Sequence, residues 1–323
     1  MNRHNSEQYT KIKKSHFFNS VFVQPGVYSC AIDCFLEVST YLFLPVLSKL
    51  SARSQFPELL FAAASDYQNQ GGNPSLLAGI REPVWSYLRE RCSSFQARDC
   101  NASFSQIFEE KTFGKLNPDE VSLFATQRLF ESYCPTCNKN VNLNSNIFLT
   151  YVSQSGLEKF RYDKISWPLY VSSIHTEPGK LRCGNCRSLT DEPLATSVVN
   201  SKFLFIEFAP EALAGLIMYD KIEVGNCWYN LKTLVRCYQS HFTCGIVSDQ
   251  KWLYFDDLLQ TVREFPSLEA MQRDIPGGWF FAVFELNGHS SSTNRIEMPV
   301  SQDYEMSHKF DSFNVNVKSP HKT

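Results

Sequence analysis

Two Cys-x-x-Cys pairs, Cys134-Pro-Thr-Cys137 and Cys183-Gly-Asn-Cys186, constrain what this chain can fold into more than any other feature. Each offers two sulfurs at the spacing that lets a tight knuckle clamp one tetrahedral ion, and two such pairs complete a four-thiolate zinc site. Pro135 and Gly184 are residues that make such a turn easy. The expectation is one structural Zn2+ held by Cys134, Cys137, Cys183 and Cys186, tying distant parts of the chain together. A redox dithiol needs only one pair beside a strand–helix junction, and two matched pairs are improbable by chance. Four thiolates leave no open coordination position, so this metal braces a β-extension and takes no part in chemistry.

The chain of 323 residues can bury a full core, as one large domain or two modest ones. Its formal net charge of -2 gives no reason to expect nucleic acid, which wants a basic face. The longest apolar stretch noted, Phe203 to Tyr219, contains Glu207, Pro210 and Glu211, so no membrane span is expected. Met1 to Ser20 is polar and mildly basic and lacks the apolar core of a secretory signal. Eleven cysteines then belong to a reducing, intracellular compartment, as thiols, metal ligands or a nucleophile. Lys11-Ile-Lys13-Lys14 is too short a basic cluster to choose between cytoplasm and nucleus.

Along the chain, residues 1–19 read as a flexible N-terminal segment. Helical periodicity follows to about Glu131: a helix containing Cys30, then 57–68, 76–91, 103–110 and 119–131. From about Ile147 the signal changes to short β-rich runs at 146–152, 165–171, 202–208, 228–237, 242–247, 251–255 and 279–286. The composition after Asn287 predicts a flexible tail over 288–323. The fold class is therefore α+β, a helical half followed by a sheet.

Pro25-Gly26 punctuates the chain ahead of an apolar pattern at Ile32, Phe35, Leu36 and Leu42 that Pro45 is expected to end. Cys30 falls in the first helical turn, where unpaired N–H groups and the macrodipole favour a thiolate. Cys34 lies one turn on, on the same face. Small buried hydrophobes are the alternative for both. Nearer the other end, His241-Phe-Thr-Cys-Gly leads through Ser248-Asp249-Gln250 into Lys251-Trp-Leu-Tyr-Phe255-Asp256-Asp257, which reads as a β-hairpin. Antiparallel pairing brings His241 beside Asp256, so a carboxylate can orient the imidazole while the other ring nitrogen faces a thiol. A surface histidine beside a solvated acidic pair is the alternative.

Cys30 in an N-terminal helix, two Cys-x-x-Cys knuckles, a sheet and a His/Asp hairpin follow the chain order of the ubiquitin-specific protease family. His241-Phe-Thr and Trp252-Leu-Tyr-Phe-Asp-Asp257 are similar to its His-Tyr-Thr … Trp-Tyr-x-Phe-Asp-Asp box, and Lys202-Phe-Leu-Phe-Ile-Glu-Phe resembles its palm strand. The resemblance implies a papain-like cysteine protease fold over 20–287, with a helical thumb (20–133), zinc-braced fingers (134–200) and a β-sheet palm (201–287). It implies Cys30 as nucleophile, His241 as base and Asp256 as orienting acid, cleaving after the C-terminal glycine of ubiquitin or a related modifier. Three features depart from the family. Cys30-Ala-Ile-Asp33-Cys34 looks more like the Cys-x-x-Asp-Cys box of the ubiquitin-specific-protease-like SUMO isopeptidase. Pro25 replaces the oxyanion asparagine, and Gln24, at the spacing of the papain-like oxyanion glutamine, is the substitute. Ser240 replaces the glycine usually before the histidine. A SUMO-specific isopeptidase, an inactive module binding ubiquitin-like proteins and, more remotely, a zinc-dependent hydrolase are the alternatives.

Overall fold

A computed structural model describes residues 30–69, 74–92, 95, 104–177, 182–191, 195–239, 241–256 and 262–289. The expected N-terminal segment, almost all of the expected tail, Gln24, Pro25, Ser240 and Asp257 lie outside the described residues.

Helix α1 (Cys30–Val38) is buried at all nine positions, and it passes through a π-helical turn (Ser39–Phe43) into α2 (Leu44–Leu47). Ser39 Oγ donates to Phe35 O (2.7 Å) and Thr40 Oγ1 to Leu36 O (2.8 Å), while the Leu44 N–H reaches back five residues to Ser39 O. This widened turn makes room for a residue with no N–H. Pro45 therefore does not end the helix, which runs on to Leu47. Among the described residues the run Cys30–Leu47 is long and apolar enough to cross a membrane, at mean hydropathy 1.6, but 78% of it is buried inside the fold. It is a core helix.

Helices α3 (Gln55–Asn69) and α4 (Pro74–Arg91), a 3-10 turn (Phe104–Phe108), α5 (Glu110–Phe113) and α6 (Pro118–Phe124) complete the helical half. A capping box starts α6: the Glu120 N–H donates to Asn117 Oδ1 (2.9 Å) and the Asn117 N–H to Glu120 Oε2 (3.0 Å). The helix expected over 119–131 stops at Phe124. Beyond Ala125, burial alternates residue by residue through β1 (Thr126–Cys134), the two-residue period of a strand overriding the helical reading.

The remainder runs β2 (Lys139–Ile147), β3 (Leu149–Val152), α7 (Gln154–Lys159), α8 (Trp167–Thr176), β4 (Ala195–Val199), β5 (Phe203–Phe208), α9 (Pro210–Leu213), β6 (Lys221–Val224), β7 (Cys227–Tyr238), β8 (His241–Ser248), β9 (Lys251–Phe255), β10 (Arg263–Phe265), α10 (Leu268–Asp274) and β11 (Trp279–His289). The run 165–171, expected as a strand, is mostly α8. Its Trp167, Tyr170 and Val171 are buried at i, i+3 and i+4, and Pro168 in the first turn starts a helix readily.

One sheet has the order β2-β1-β4; the other is β10-β9-β8-β7-β11-β5-β3, with β6 paired to β7. Alternation along β5 divides the two cores. Phe203 and Phe205 join the helical half, whereas Leu204 and Ile206 join the layer containing α8 and α10. Aromatic rings lock the helical half to the sheet: Phe108 lies 4.5 Å from Phe205 and 4.7 Å from Phe281, and Phe35 packs edge-on to Phe108 at 5.5 Å.

Candidate active site and four-cysteine cluster

Strands β8 and β9 form a hairpin with Ser248 opposite Lys251. The two residues between them, Asp249 (φ 50°) and Gln250 (φ 65°), are both left-handed, as a two-residue turn matching the strand twist requires. That turn sets Cys244 opposite Phe255, so Asp256 emerges one residue past the paired segment, diagonal to His241. The two side chains meet with Nε2 3.0 Å from Oδ1, at 24% and 15% exposure. The carboxylate thereby holds the tautomer with the proton on Nε2, and Nδ1 becomes the nitrogen able to take a proton from a thiol.

Helix α1 packs along β8. The Cys34 thiol hydrogen-bonds Cys244, which burial pushes up, and the Tyr41 ring lies 5.7 Å from Phe255. Burial, then Glu37, raises the Tyr41 hydroxyl to about 12, with Asp249 of the hairpin turn adding to it. The C-terminal end of this helical run thus points toward the β8–β9 turn, and its N-terminal end, which is Cys30, toward the His241 end of the strand. Cys30 is 4% exposed and Cys34 fully buried. His241 and Asp256 are in contact, Cys30 heads the helix laid on the same strand, and Cys34 is a core thiol.

Cys134, Cys137, Cys183 and Cys186 bring all four sulfurs within 4.8 Å of one another. Cys134 and Cys186 are 3.5 Å apart and Cys183 and Cys137 3.9 Å. A disulfide needs about 2.05 Å, whereas the edge of a tetrahedron with Zn–S bonds of about 2.3 Å is about 3.8 Å. The donor set fits a zinc ion. Both knuckles share one backbone device: the residue after the second cysteine is left-handed, Asn138 at φ 56° and Arg187 at φ 60°. The turn therefore depends on these residues; Gly184, expected to ease it, has open space around its Cα. Asn185 Nδ2 donates to Cys137 Sγ at 3.3 Å, and the Ser188 hydroxyl leads the contacts that draw the Cys186 thiol down to about 6.

No protein-family model matches the sequence, and no curated protein matches it. Solved structures do match. The SAGA DUB module of Ubp8, Sgf11, Sus1 and Sgf73 bound to monoubiquitin gives a TM-score of 0.53 at 12% identity, over 88% of this chain and 72% of that chain. The same module bound to ubiquitin aldehyde gives 0.51 at 12%, over 86% and 72%. The Saccharomyces cerevisiae Pan2 pseudoubiquitin hydrolase–RNA exonuclease module in complex with RNA gives 0.50 at 12%, over 81% and 52%. The fold is that of the ubiquitin hydrolases. In that fold's terms the helical half is the thumb, the larger sheet the palm, and the sheet bearing the cysteine cluster the fingers. At 12% identity the likeness carries the fold alone. The charge argument against a nucleic-acid partner gains nothing from it, since the Pan2 module holds RNA.

Sequence reasoning missed two groups beside the palm. Glu207 alternates with Phe203 and Phe205 on the thumb-facing side of β5; burial raises its carboxyl to about 7, against a hydrogen bond from Ser105. The alternation was readable, but Ser105 and Glu109 across the cleft were not. Arg81 of α4 is buried against Asp33 of α1, and no local pattern links residues so far apart.

Proposed function

We propose that this protein is a thiol isopeptidase that removes ubiquitin or a ubiquitin-like modifier from proteins by cleaving after its C-terminal glycine. The observation that carries the reading is the 3.0 Å contact of His241 Nε2 with Asp256 Oδ1, at the end of the strand along which the Cys30 helix is laid. In this mechanism the Cys30 thiol gives its proton to His241 Nδ1 and the thiolate attacks the glycine carbonyl. The Cys30 N–H and Gln24 donate to the oxyanion, a contribution of roughly 10²–10³ in turnover per donor. His241 then protonates the departing lysine amine, and water releases the thioester. Asp256 keeps the imidazole oriented throughout. A Zn2+ ion held by Cys134, Cys137, Cys183 and Cys186 braces the fingers and supplies no chemistry.

Two observations favour a second reading, an inactive fold that only binds such modifiers. Cys30 is 4% exposed, and one structural neighbour is itself named a pseudoubiquitin hydrolase. The Cys30-Ala-Ile-Asp-Cys34 box favours SUMO among modifiers, and the His box favours ubiquitin. One experiment separates all three: mass spectrometry of wild type and Cys30→Ala after incubation with ubiquitin and SUMO probes carrying a C-terminal thiol-reactive group. The expected result is an adduct on Cys30 with one probe and none in the variant. No adduct with either probe on folded, zinc-loaded protein selects the binding module.

A further inference from the structure

Asp33 is a carboxylate at 1% exposure in a helix that is buried at every position, three residues after Cys30. Such a charge is tolerated inside a protein only when it is paired. The Arg81 guanidinium answers it from α4, with Nη1 2.9 Å from Oδ1 and 3.0 Å from Oδ2, itself 7% exposed. Stability alone does not explain the pair, because well-packed apolar residues commonly hold such a site as well as buried ions do.

Its location suggests what it does. Residues i and i+3 of a helix have Cβ atoms about 5–6 Å apart, so Asp33 stands one turn along from the thiol that heads α1. Among the described residues, the other ionisable groups near this helical run are Cys34, Glu37 and Tyr41 on the run itself, Cys244 from β8 and Tyr254 from β9, with His241 and Asp256 at the end of that hairpin. Helix α3 and the 3-10 turn present the rings of Phe56, Phe104 and Phe108 to Phe35. Arg81 is the permanent cation in that set.

We propose that Asp33 and Arg81 are positioning residues for Cys30: the pair pins the first turn of α1 to α4, and Arg81 offsets the negative charge that Asp33 places one turn from the nucleophile. The role rests on the reading of Cys30 as the nucleophile, but its test needs no modifier.

The test is iodoacetamide alkylation of Cys30, followed by peptide mass mapping from about pH 5 to pH 10. Arg81→Met moves the midpoint up by about one to two pH units and slows alkylation at neutral pH by about ten- to a hundredfold. The double variant Asp33→Asn/Arg81→Met and the conservative Arg81→Lys both return the midpoint to that of wild type. A purely structural brace behaves otherwise, since the double variant, which lacks the pair, stays as impaired as the single. If Arg81→Met does not fold, Asp33→Asn decides: with Arg81 uncancelled, the midpoint falls below wild type. A common midpoint in every folded variant overturns the proposal, as does a double variant displaced as far as Arg81→Met. The ubiquitin and SUMO probes run alongside keep the two claims apart. The full set of shifts without a probe adduct leaves the pair's role standing and removes the isopeptidase; an adduct without the shifts does the reverse.

Discussion

His175 of α8 is fully buried, with Nε2 2.7 Å from Thr150 Oγ1, and burial and the nearby Arg128 guanidinium pull it from 6.5 down to about 3. Between those values the unfolded chain binds the proton and the folded one does not. Its contribution is complete above about pH 6.5 and is lost as the pH falls, with a slope approaching about 1.4 kcal/mol per pH unit. Glu207 has the opposite sign. Its carboxyl is raised from 4.5 to about 7, so the unfolded chain ionises first and stability falls as the pH rises through that window. The slope between those values approaches the same size, over a narrower window because the shift is smaller. Urea titrations across both windows check this: His175→Gln flattens the acid side and Glu207→Gln the neutral side, and unchanged slopes contradict the assignments. At the proposed catalytic centre, Asp256→Ala lowers the rate of probe adduct formation by on the order of 10²–10⁴ with the fold intact, as loss of an oriented base requires. A variant labelled at the wild-type rate removes Asp256 from the mechanism.

At the scale of elements, the tight turn between α10 and β11 rests on two left-handed glycines, Gly277 and Gly278, of which the second is at a close approach. Gly278 sits at φ +74°, and a Cβ there meets the Cys237 carbonyl oxygen at 2.7 Å, while the Cys237 N–H donates to Gly278 O at 2.9 Å. Neither backbone can yield, so Gly278→Ala costs about 1–3 kcal/mol in denaturant unfolding; a loss of no more than about a few tenths of a kcal/mol refutes the clash. Legibility from sequence followed the range of the deciding interaction. Strand β9 came out at its observed bounds, because a two-residue turn and strict alternation are local signals. Helix α8 was misread because Trp167, Tyr170 and Val171 have strand-like preferences, and only burial against the back of the palm selects the helical spacing. The end of α6 was misplaced because β1 draws its order from pairing with β2 and β4. His241 and Asp256 were legible as hairpin neighbours, and the cysteine cluster by spacing. Arg81, meeting Asp33 across 48 residues, had no such signature.

For the whole molecule, the two apolar cores lie on opposite faces of the palm, and the cysteine cluster belongs to neither. Metal removal is therefore expected to loosen the fingers and spare the thumb–palm core. Elemental analysis of the purified protein is expected to find one zinc per chain, and Cys183→Ser is expected to abolish it while Cys30 keeps its alkylation profile. A metal-free protein with intact fingers by hydrogen exchange argues against the brace. The distance between the two knuckles along the chain also bears on how the protein is made. Cys137 and Cys183 are 46 residues apart, with β2, β3, α7 and α8 between them. At about 5–20 residues per second of synthesis, the first knuckle leaves the ribosome as half a cage and waits roughly two to nine seconds for its twin. During that interval its two thiols are open to stray metals and oxidants, so chains translated with zinc limiting are expected to mature in lower yield.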